Sequence, residues 1–410
     1  MLVLTNGTLI NGTGQEPIEK ATVVVEENTI KGVGPGIGCP EGASTIDLSG
    51  RVIMPGLIDC HLHLGGFVID KPGRLIGQVS FLDLFPFLWD YVRNFAKRRR
   101  LAIKHGVTTI RSAGDNYPHI LQLRDKIESG KLTGPRIFAP GPIFTAPGGH
   151  PAGTIYKRNR YIVEHATRQV DNTEAAREEV RKLAEGGVDC IKAIYCDQNV
   201  IEPASPVPKL SLNVLKVIAD EAHQHNLRLM VHTGNPDDTR DAVRAGADSI
   251  EHGVLPGTDA MEFPDDVITM MRENGTYYVP TLAIAGANRG AFPELFVAVK
   301  RAVKKLHGSG ISIAAGTDSG TPGVIIGRGV HIEMELLVEA GLSPMEAIVT
   351  ATRNAAGNLG QRHRLGTIEK GKLADIIVVS GNPLEQDGRT GEIEIVIKNG
   401  EVLVNRLSNG

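Results

Sequence analysis

Histidine, lysine and aspartate residues stand at or beside the ends of five short apolar runs in this 410-residue sequence. The first run leads into His61-Leu62-His63. On an extended segment, residues i and i+2 point to the same side, so both imidazoles can face one point. The other runs carry Lys192, His232, His252 and Asp318. Imidazole and carboxylate groups bind divalent transition metals, so the set predicts a metal site.

Each candidate alone also has a structural explanation. A single histidine is more often a satisfied structural residue than a ligand, and Asp318 could cap a turn. The segment His223-Gln224-His225 has the same spacing but ends a predicted helix, where residues i and i+2 diverge, so it is predicted to be surface. A buried Lys192 needs a partner or a changed charge, because desolvating an ammonium is costly. The joint placement of all six residues favours chemistry over structure.

The middle of the chain alternates apolar strands with helix-period segments, and these elements must position the candidates. The predicted strands are Val52–Ile58, Thr108–Arg111, Arg136–Ala139, Asp189–Ile194, Leu229–His232, Ser249–Glu251, Tyr277–Pro280 and Ile311–Ala315. The predicted helices include Glu174–Glu185, Leu212–His223, Asp265–Glu273 and Glu294–Leu306. Eight βα units favour an α/β fold closed into a (β/α)8 TIM barrel, in which reactive groups gather at the carboxyl ends of the strands. An open doubly wound sheet is the alternative, although no glycine-rich phosphate fingerprint follows the first strand.

The two ends of the chain share a different texture of short β-branched runs separated by turn signals. Neither end is long enough for a stable sheet alone, so the two are predicted to pair into one small β-sandwich domain. We therefore expect residues 1–53 plus 366–410 to form this domain and residues 54–365 to form the catalytic barrel.

The composition is that of an ordinary globular protein, with 41 % hydrophobic residues, 22 % charged residues and a formal net charge of −3. The one basic run, Lys97-Arg98-Arg99-Arg100, is interpreted as a solvated helix end, so no nucleic-acid partner is predicted. The four cysteines lack metal-type spacing, and neither a signal segment nor a membrane segment is evident. A cytoplasmic enzyme acting on a small molecule is expected, without a membrane partner, and a homo-oligomer is left open.

The motif Pro55-Gly56-Leu57-Ile58-Asp59-x-His61-x-His63 resembles the amidohydrolase superfamily, as do the strand-four lysine, His232, His252 and Gly316-Thr317-Asp318. The terminal strands are similar to the small β-sandwich of those enzymes, so the resemblance covers nearly the whole chain. Within the superfamily, Thr317-Asp318-Ser319-Gly320 and the segment 335–344 resemble the imidazolonepropionase-like branch, which includes metal-dependent Xaa-Pro dipeptidases.

The resemblance implies a binuclear metal centre. Its ligands would be His61, His63 and Asp318 for one ion, His232 and His252 for the other, and Lys192, carboxylated on its amine, as the bridge between them. Zinc suits these ligands, and manganese, iron and cobalt remain alternatives. A metal-bridging hydroxide would attack the substrate, with Asp318 as general base and acid.

Departures from neighbouring families narrow the implied reaction. The glutamate that the deaminase branch places shortly after the strand-five histidine is replaced by Thr233-Gly234-Asn235-Pro236. Imidazolonepropionase works with one metal and resembles sequences without the bridging lysine, so Lys192 favours two metals; a purely structural Lys192 would restore the one-metal alternative. The implied reaction is hydrolysis of an amide-like C–N bond in a dipeptide or N-acyl amino acid. The alternatives are a cyclic amide, lactone, carbamate or organophosphate ester, or a non-catalytic member, which usually loses ligands that are all present here.

Three further residues are candidates for substrate binding. His150, in the loop after strand three, could polarise a substrate carbonyl or bind a carboxylate, or be a structural turn residue. Tyr195 resembles the substrate-orienting tyrosine of related dipeptidases, provided that the strand ends before it. Arg111 could reach an anionic substrate group, although an internal ion pair is the favoured interpretation. The aromatic-rich segment after His63 could form a lid or an apolar pocket, or else helix core or a subunit contact.

Overall fold

The computed structural model describes residues 1–65, 96–202, 204–258, 261–385 and 390–407. Every element and contact given below lies within these ranges. The aromatic-rich segment after His63, from Phe67 to Phe95, falls outside them, and its proposed role as a lid or pocket stays a prediction.

Strands from both ends of the chain join one mixed sheet of eight strands, called here the terminal sheet. Its strands are β1 Leu2–Leu9, β2 Ile18–Glu26, β3 Thr29–Pro35, β4 Ser44–Asp47, β5 Arg51–Pro55, β15 Ile376–Ser380, β16 Ile393–Lys398 and β17 Glu401–Asn405. The order is β17-β16-β15-β5-β1-β2-β3, with β4 beside β1, and β15 runs antiparallel to β5 with Ile376 opposite Pro55. Aliphatic side chains from both ends fill one core, so residues such as Leu4, Ile53 and Ile395 are fully buried. The boundaries predicted for the two domains, and the sandwich packing, stay predictions.

Nine parallel strands make up two further sheets. The three-stranded sheet consists of β6 Leu57–Leu62, β7 Val107–Ser112 and β8 Arg136–Phe138. The six-stranded sheet has the order β10-β9-β11-β12-β13-β14, formed by β9 Ile143–Thr145, β10 Thr167–Gln169, β11 Cys190–Tyr195, β12 Arg228–Thr233, β13 Ser249–His252 and β14 Tyr277–Val279. Parallel pairing requires crossover connections, and helices supply most of them.

The helices alternate with these strands. They are α1 at 96–104, α2 His119–Glu128, α3 Arg160–Ala166, α4 Thr173–Glu185, α5 Leu212–Gln224, α6 Pro236–Ala245, α7 Asp265–Glu273, α8 Leu282–Ala287, α9 Pro293–Gly308, α10 Arg328–Glu339, α11 Pro344–Val349, a π-helical turn Thr350–Asn354, and α12 Ala355–Asn358. The side chains of Asn172, Ser211 and Asn235 cap α4, α5 and α6 by accepting a backbone N–H of the first turn. All four predicted helices are confirmed to within two residues. None of the described helices is long and apolar enough to cross a bilayer.

The predicted strands agree less well with the structure. Val52–Ile58 is wrong as one strand, because the chain leaves the terminal sheet at Gly56 and enters the three-stranded sheet as β6. A side chain at Gly56 would place its Cβ 2.2 Å from the Thr108 hydroxyl oxygen, so only glycine fits this crossing. Ile311–Ala315 forms a single bridge, between Ile313 and Tyr278, instead of a strand, and β9 and β10 are not among the predicted strands.

Backbone hydrogen bonds join the two parallel sheets on both sides. On one side, Ala314 N–H donates to Tyr278 O at 3.0 Å and Cys60 N–H donates to Ala315 O at 2.9 Å. On the other side, Asp189 N–H donates to Ala139 O at 2.9 Å. The predicted α/β class is therefore confirmed, and the carboxyl ends of β6, β12 and β13 are the places where the candidate histidines lie.

Candidate metal centre

His61, His63 and Asp318 meet although more than half of the chain separates the histidines from the aspartate. His63 Nε2 lies 3.3 Å from Asp318 Oδ1, and His61 Nε2 lies 3.8 Å from the same oxygen. One ligand atom from each residue lies within 4.8 Å of the others. Asp318 adopts a left-handed φ of 55°, and its N–H donates to His61 O at 2.7 Å, which fixes the turn beside β6. Two distant segments thus form a three-residue donor group.

His232 and His252 extend this group from the neighbouring strands β12 and β13. The ring centroids of His252 and His61 are 4.8 Å apart, and those of His252 and His232 are 4.4 Å apart. His252 Nδ1 is hydrogen-bonded to the Thr281 hydroxyl at 2.8 Å, which leaves Nε2 for another partner. His232 Nε2 is buried and finds no hydrogen-bond partner in the described part of the chain. A buried imidazole nitrogen that lacks a hydrogen-bond partner is a donor available to a metal ion.

Lys192, on β11, is 2 % exposed and lines the same cavity as the four histidines. Among the described residues, its ammonium has no hydrogen bond or ion pair. Burial lowers the pKa of Lys192 to about 8 against the raising effect of the Glu251 carboxylate, and the Arg111 charge lowers it further. Lys192 therefore meets the condition set out from the sequence: it is buried without a partner that would compensate a charge.

The charge of the donor group suits a cation. Burial alone would raise the pKa of Asp318, but the hydrogen bond with His63 and the nearby imidazoles hold it well below its usual range. Burial and the neighbouring Lys192 and His252 lower the pKa of His61 well below its ordinary value, so this imidazole is neutral. Burial lowers the pKa of His63, but the hydrogen bond with Asp318 and the charge of that carboxylate raise it above its ordinary value, so His63 would have to release its proton to bind a divalent metal. The residues present fit the metal centre that the sequence predicts.

A buried network behind the histidines orients His61. Glu251 Oε2 lies 2.6 Å from His61 Nδ1, so Nε2 of the ring is directed towards Asp318. The other oxygen, Oε1, accepts hydrogen bonds from Arg111 Nη2 at 2.8 Å and from the Ser249 hydroxyl at 2.6 Å. Glu251 is not among the site residues predicted from the sequence, although a carboxylate inside the apolar run before His252 was a usable signal.

We expect Arg111→Met to destabilise the protein by about 3–5 kcal/mol, because it leaves Glu251 as a buried carboxylate without its cation. Urea denaturation followed by circular dichroism measures this change. The double variant Arg111→Met/Glu251→Gln should recover part of the loss. As a control, Arg160→Met removes an exposed ion pair with Glu164 and should leave the transition midpoint unchanged. Equal stabilities of Arg111→Met and wild type would contradict a structural role for this pair.

One cavity of about 320 Å³ contains all six predicted metal ligands. Its remaining walls are mainly aliphatic and come from β9, β11, α8, α9 and the loops after β11 and β13; they include Ile143, Ile194, Val200, Leu255, Ile284 and Val299. Lys192 is the one lysine or arginine among the described residues that line it. The cavity therefore has a polar end that carries the donor group and an apolar body.

The three residues predicted to bind substrate are separated by the structure. His150 lines the cavity, with its ring centroid 5.6 Å from that of His232. Tyr195 and Arg111 are not among the described residues that line it. Because β11 continues through Tyr195, this side chain is on the face opposite Lys192, and its hydroxyl donates to Asp241 at 3.0 Å. Arg111 is occupied by Glu251 and Cys60 O, in line with the internal ion pair favoured from the sequence.

The control pair His223 and His225 is confirmed as surface. Their side chains are 44 % and 37 % exposed, and His223 Nε2 pairs with Asp248 at 2.9 Å. The His-x-His spacing therefore predicts that two imidazoles converge when it lies on a strand, and makes no such prediction when it lies at the end of a helix.

Comparison with known proteins places this geometry in a family. A family model described as "Amidohydrolase family" matches residues 52–403. Ochratoxinase from Aspergillus niger is 27 % identical over an alignment 419 positions long, which covers 93 % of this chain and 82 % of the relative. Imidazolonepropionase from Haloarcula marismortui is 22 % identical, covering 98 % of this chain and 94 % of the relative. The crystal structure of a Xaa-Pro dipeptidase with bound methionine superposes with a TM-score of 0.82 at 28 % identity, covering 98 % of this chain and 100 % of that one.

Proposed function

This chain belongs to the amidohydrolase family and is a hydrolase acting on carbon–nitrogen bonds, and we propose that it works with a binuclear metal centre. In this proposal the substrate is a dipeptide or an N-acyl amino acid with an apolar side chain or acyl group. The bond that is cleaved is the amide. The observation that carries the proposal is the convergence of the six predicted metal ligands on one cavity with aliphatic walls. We further propose that the two parallel sheets close into one (β/α)8 barrel, supported by the hydrogen bonds that join them on both sides. The cytoplasmic location expected from cysteine usage belongs to the same proposal.

In this proposal His61, His63 and Asp318 hold one divalent ion, while His232 and His252 hold the second. Lys192, carboxylated on its amine by carbon dioxide, would be the residue shared by both ions, and this modification would also remove the cost of an unpaired buried ammonium. Zinc suits this mixture of imidazole and carboxylate ligands. When bound, the two ions activate a water molecule and polarise the bond under attack.

The chain's own residues supply proton transfer and orientation. Asp318 is a carboxylate at neutral pH, so it can accept a proton from the attacking water and then pass it to the leaving nitrogen. Burial and the charge of Lys192 lower the pKa of His150 to about 4, which keeps its ring neutral. Its Nδ1 is hydrogen-bonded to the Thr154 hydroxyl at 2.7 Å. In the tautomer in which Nδ1 accepts this hydrogen bond, Nε2 carries the proton and can donate to a substrate carbonyl.

A substrate panel tests the proposed reaction. Purified enzyme is assayed against dipeptides, N-acyl amino acids, carbamates, lactones and esters, before and after chelation. We expect amides with an apolar acyl group or side chain to be hydrolysed best, and activity to return when zinc or another divalent ion is restored. Turnover of lactones or esters without any amide hydrolysis would contradict the assignment to C–N bonds, and full activity in the chelated enzyme would contradict the metal centre.

Within a series of N-acyl amino acids, we expect kcat/KM to rise about fourfold for each methylene that the cavity can bury. Val299→Thr places a hydroxyl in the aliphatic wall without changing its volume, so it should flatten this dependence. Val297→Thr is the matched control, because Val297 lies on the same helix α9 but is 42 % exposed. If kcat/KM depended on acyl-chain length in the same way in wild type, Val299→Thr and Val297→Thr, the acyl group would have to bind away from Val299.

A further inference from the structure

A second cavity, of about 290 Å³, lies at the opposite end of the parallel strands from the histidines. Arg136 begins β8 and Asp189 immediately precedes β11, so this cavity is at the amino ends of those strands. Asn399, in the turn between β16 and β17, brings the terminal sheet to its edge. Nothing in the proposed hydrolysis uses this cavity. We call it the junction cavity.

Four cationic side chains line the junction cavity: Arg124, Arg136, Arg364 and Lys398. The buried or half-buried carboxylates nearby already have partners. Asp189 accepts hydrogen bonds from Arg124 at 2.8 Å and from Ala139 N–H at 2.9 Å. Asp375 pairs with Arg136 and accepts from Asn399 N–H at 2.9 Å. Two of the four cations are therefore matched by acids.

Arg364 and Lys398 are not matched in this way. Arg364 uses Nε to donate to Gln361 Oε1 at 2.6 Å, and it has no ion pair with any described residue. Lys398 is 8 % exposed and, over the described ranges, has neither a hydrogen bond nor an ion pair. Glu128, the one remaining carboxylate of the lining, is exposed and pairs with neither cation. Burial lowers the pKa of both groups and the nearby charge of Arg136 lowers it further, while the carboxylates of Asp375 and Glu128 raise it in part.

A buried ammonium without a partner is costly, and further cations around it add to that cost. We propose that the junction cavity binds a phosphate-sized tetrahedral oxyanion, held by Lys398 and by the free guanidinium nitrogens of Arg364. A guanidinium offers a planar fork of donors and a lysine offers a point charge, the two forms in which proteins bind such anions. Glu128, an exposed carboxylate of the same lining, would weaken the binding by repelling the anion.

The bound anion would join parts of the chain that are far apart in sequence. Arg364 precedes the last strands of the terminal sheet, Lys398 ends β16, and Arg136 begins β8 of the three-stranded sheet. An anion among them neutralises charges contributed by both sheets. The ligand is therefore expected to stabilise the fold, and it lies away from the residues proposed to act on substrate.

The full-length protein tests this site when it is titrated with sodium phosphate at an ionic strength held constant with sodium chloride. Thermal unfolding and isothermal titration calorimetry are the measurements, and sulfate is a second tetrahedral probe. We expect a saturable rise in Tm and a saturable heat in wild type. Both should vanish in Lys398→Met and weaken in Arg364→Gln, and both should persist in the control Lys304→Met, which removes an exposed lysine of α9.

Without phosphate, Lys398→Met should unfold at a higher temperature than wild type, because it replaces an unpaired buried ammonium with an apolar chain of similar length. Absence of a saturable phosphate effect in wild type would overturn the proposal. A phosphate effect that survives in both Lys398→Met and Arg364→Gln would overturn it as well, since the anion would then bind elsewhere, for example at the histidines. Should Lys398→Met fail to fold, an undiminished phosphate effect in Arg364→Gln alone would overturn the proposal.

Discussion

Replacing Lys192 with alanine should remove both metal ions from the purified enzyme, where wild type carries about two equivalents per chain. The reason is that in the proposed centre Lys192 is the one residue shared by both ions, whereas each histidine serves one. Turnover should fall by at least about 10³-fold, because the variant loses the ions that activate water. Elemental analysis of the purified variant, together with steady-state kinetics on the best amide of the panel, measures both effects.

Lys182→Ala is the control for this variant. It removes an exposed lysine of α4 and should change neither metal content nor rate. A short carboxylic acid added to Lys192→Ala together with zinc should restore part of the activity, because the acid offers two oxygens in the space that the side chain vacates. If Lys192→Ala kept one metal equivalent per chain, the bridging role of Lys192 would be contradicted and the one-metal alternative would be favoured.

Asp318→Asn should lower kcat by about 10²–10⁴-fold while much of the bound metal is retained. The amide keeps an oxygen in the position of the carboxylate, and His61 and His63 are unchanged, so binding is affected less than proton transfer. KM should change little, because the cavity walls are untouched. Rapid-quench or steady-state kinetics alongside metal analysis separates the two effects.

Asp237→Asn, which changes an exposed aspartate in the first turn of α6, is the matched control and should behave as wild type. If Asp318→Asn turned over at a near-normal rate, another group would have to move the proton. If Asp318→Asn lost its metal together with its activity, the loss of metal would explain the loss of turnover. The proposed role of Asp318 in proton transfer would then have no support from this variant.

Helices were predictable from the sequence because their signals are local. Helix α7 was predicted at the residues where it lies, and α4 and α5 begin after the capping residues Asn172 and Ser211. The first strand was not, because Val52–Ile58 has no polar residue and its one interruption, Pro55-Gly56, does not show that the two halves join different sheets; the close approach of Gly56 to Thr108 does. Contacts between distant segments leave no local pattern of this kind.

Residues of the site that stand out from their sequence neighbours could be predicted, and residues whose role depends on contacts with other strands could not. Four histidines, one lysine and one aspartate at or beside strand ends stand out against apolar neighbours, which made the six candidate ligands identifiable. Glu251 was not, since its role depends on His61 and Arg111, which lie on other strands. The prediction for Tyr195 depended on whether β11 ended before this residue. Because β11 includes Tyr195, the side chain points away from the cavity.

The pairing of β5 with β15 has a consequence for synthesis on the ribosome. Strand β5 carries the apolar run Val52-Ile53-Met54, and the strand that covers this edge begins roughly 320 residues later, at Ile376. At typical elongation rates the nascent chain therefore exposes an unpaired apolar edge for roughly 15–60 s. Such an edge is a template for pairing with other chains, so low yield on overexpression would be traced first to β5.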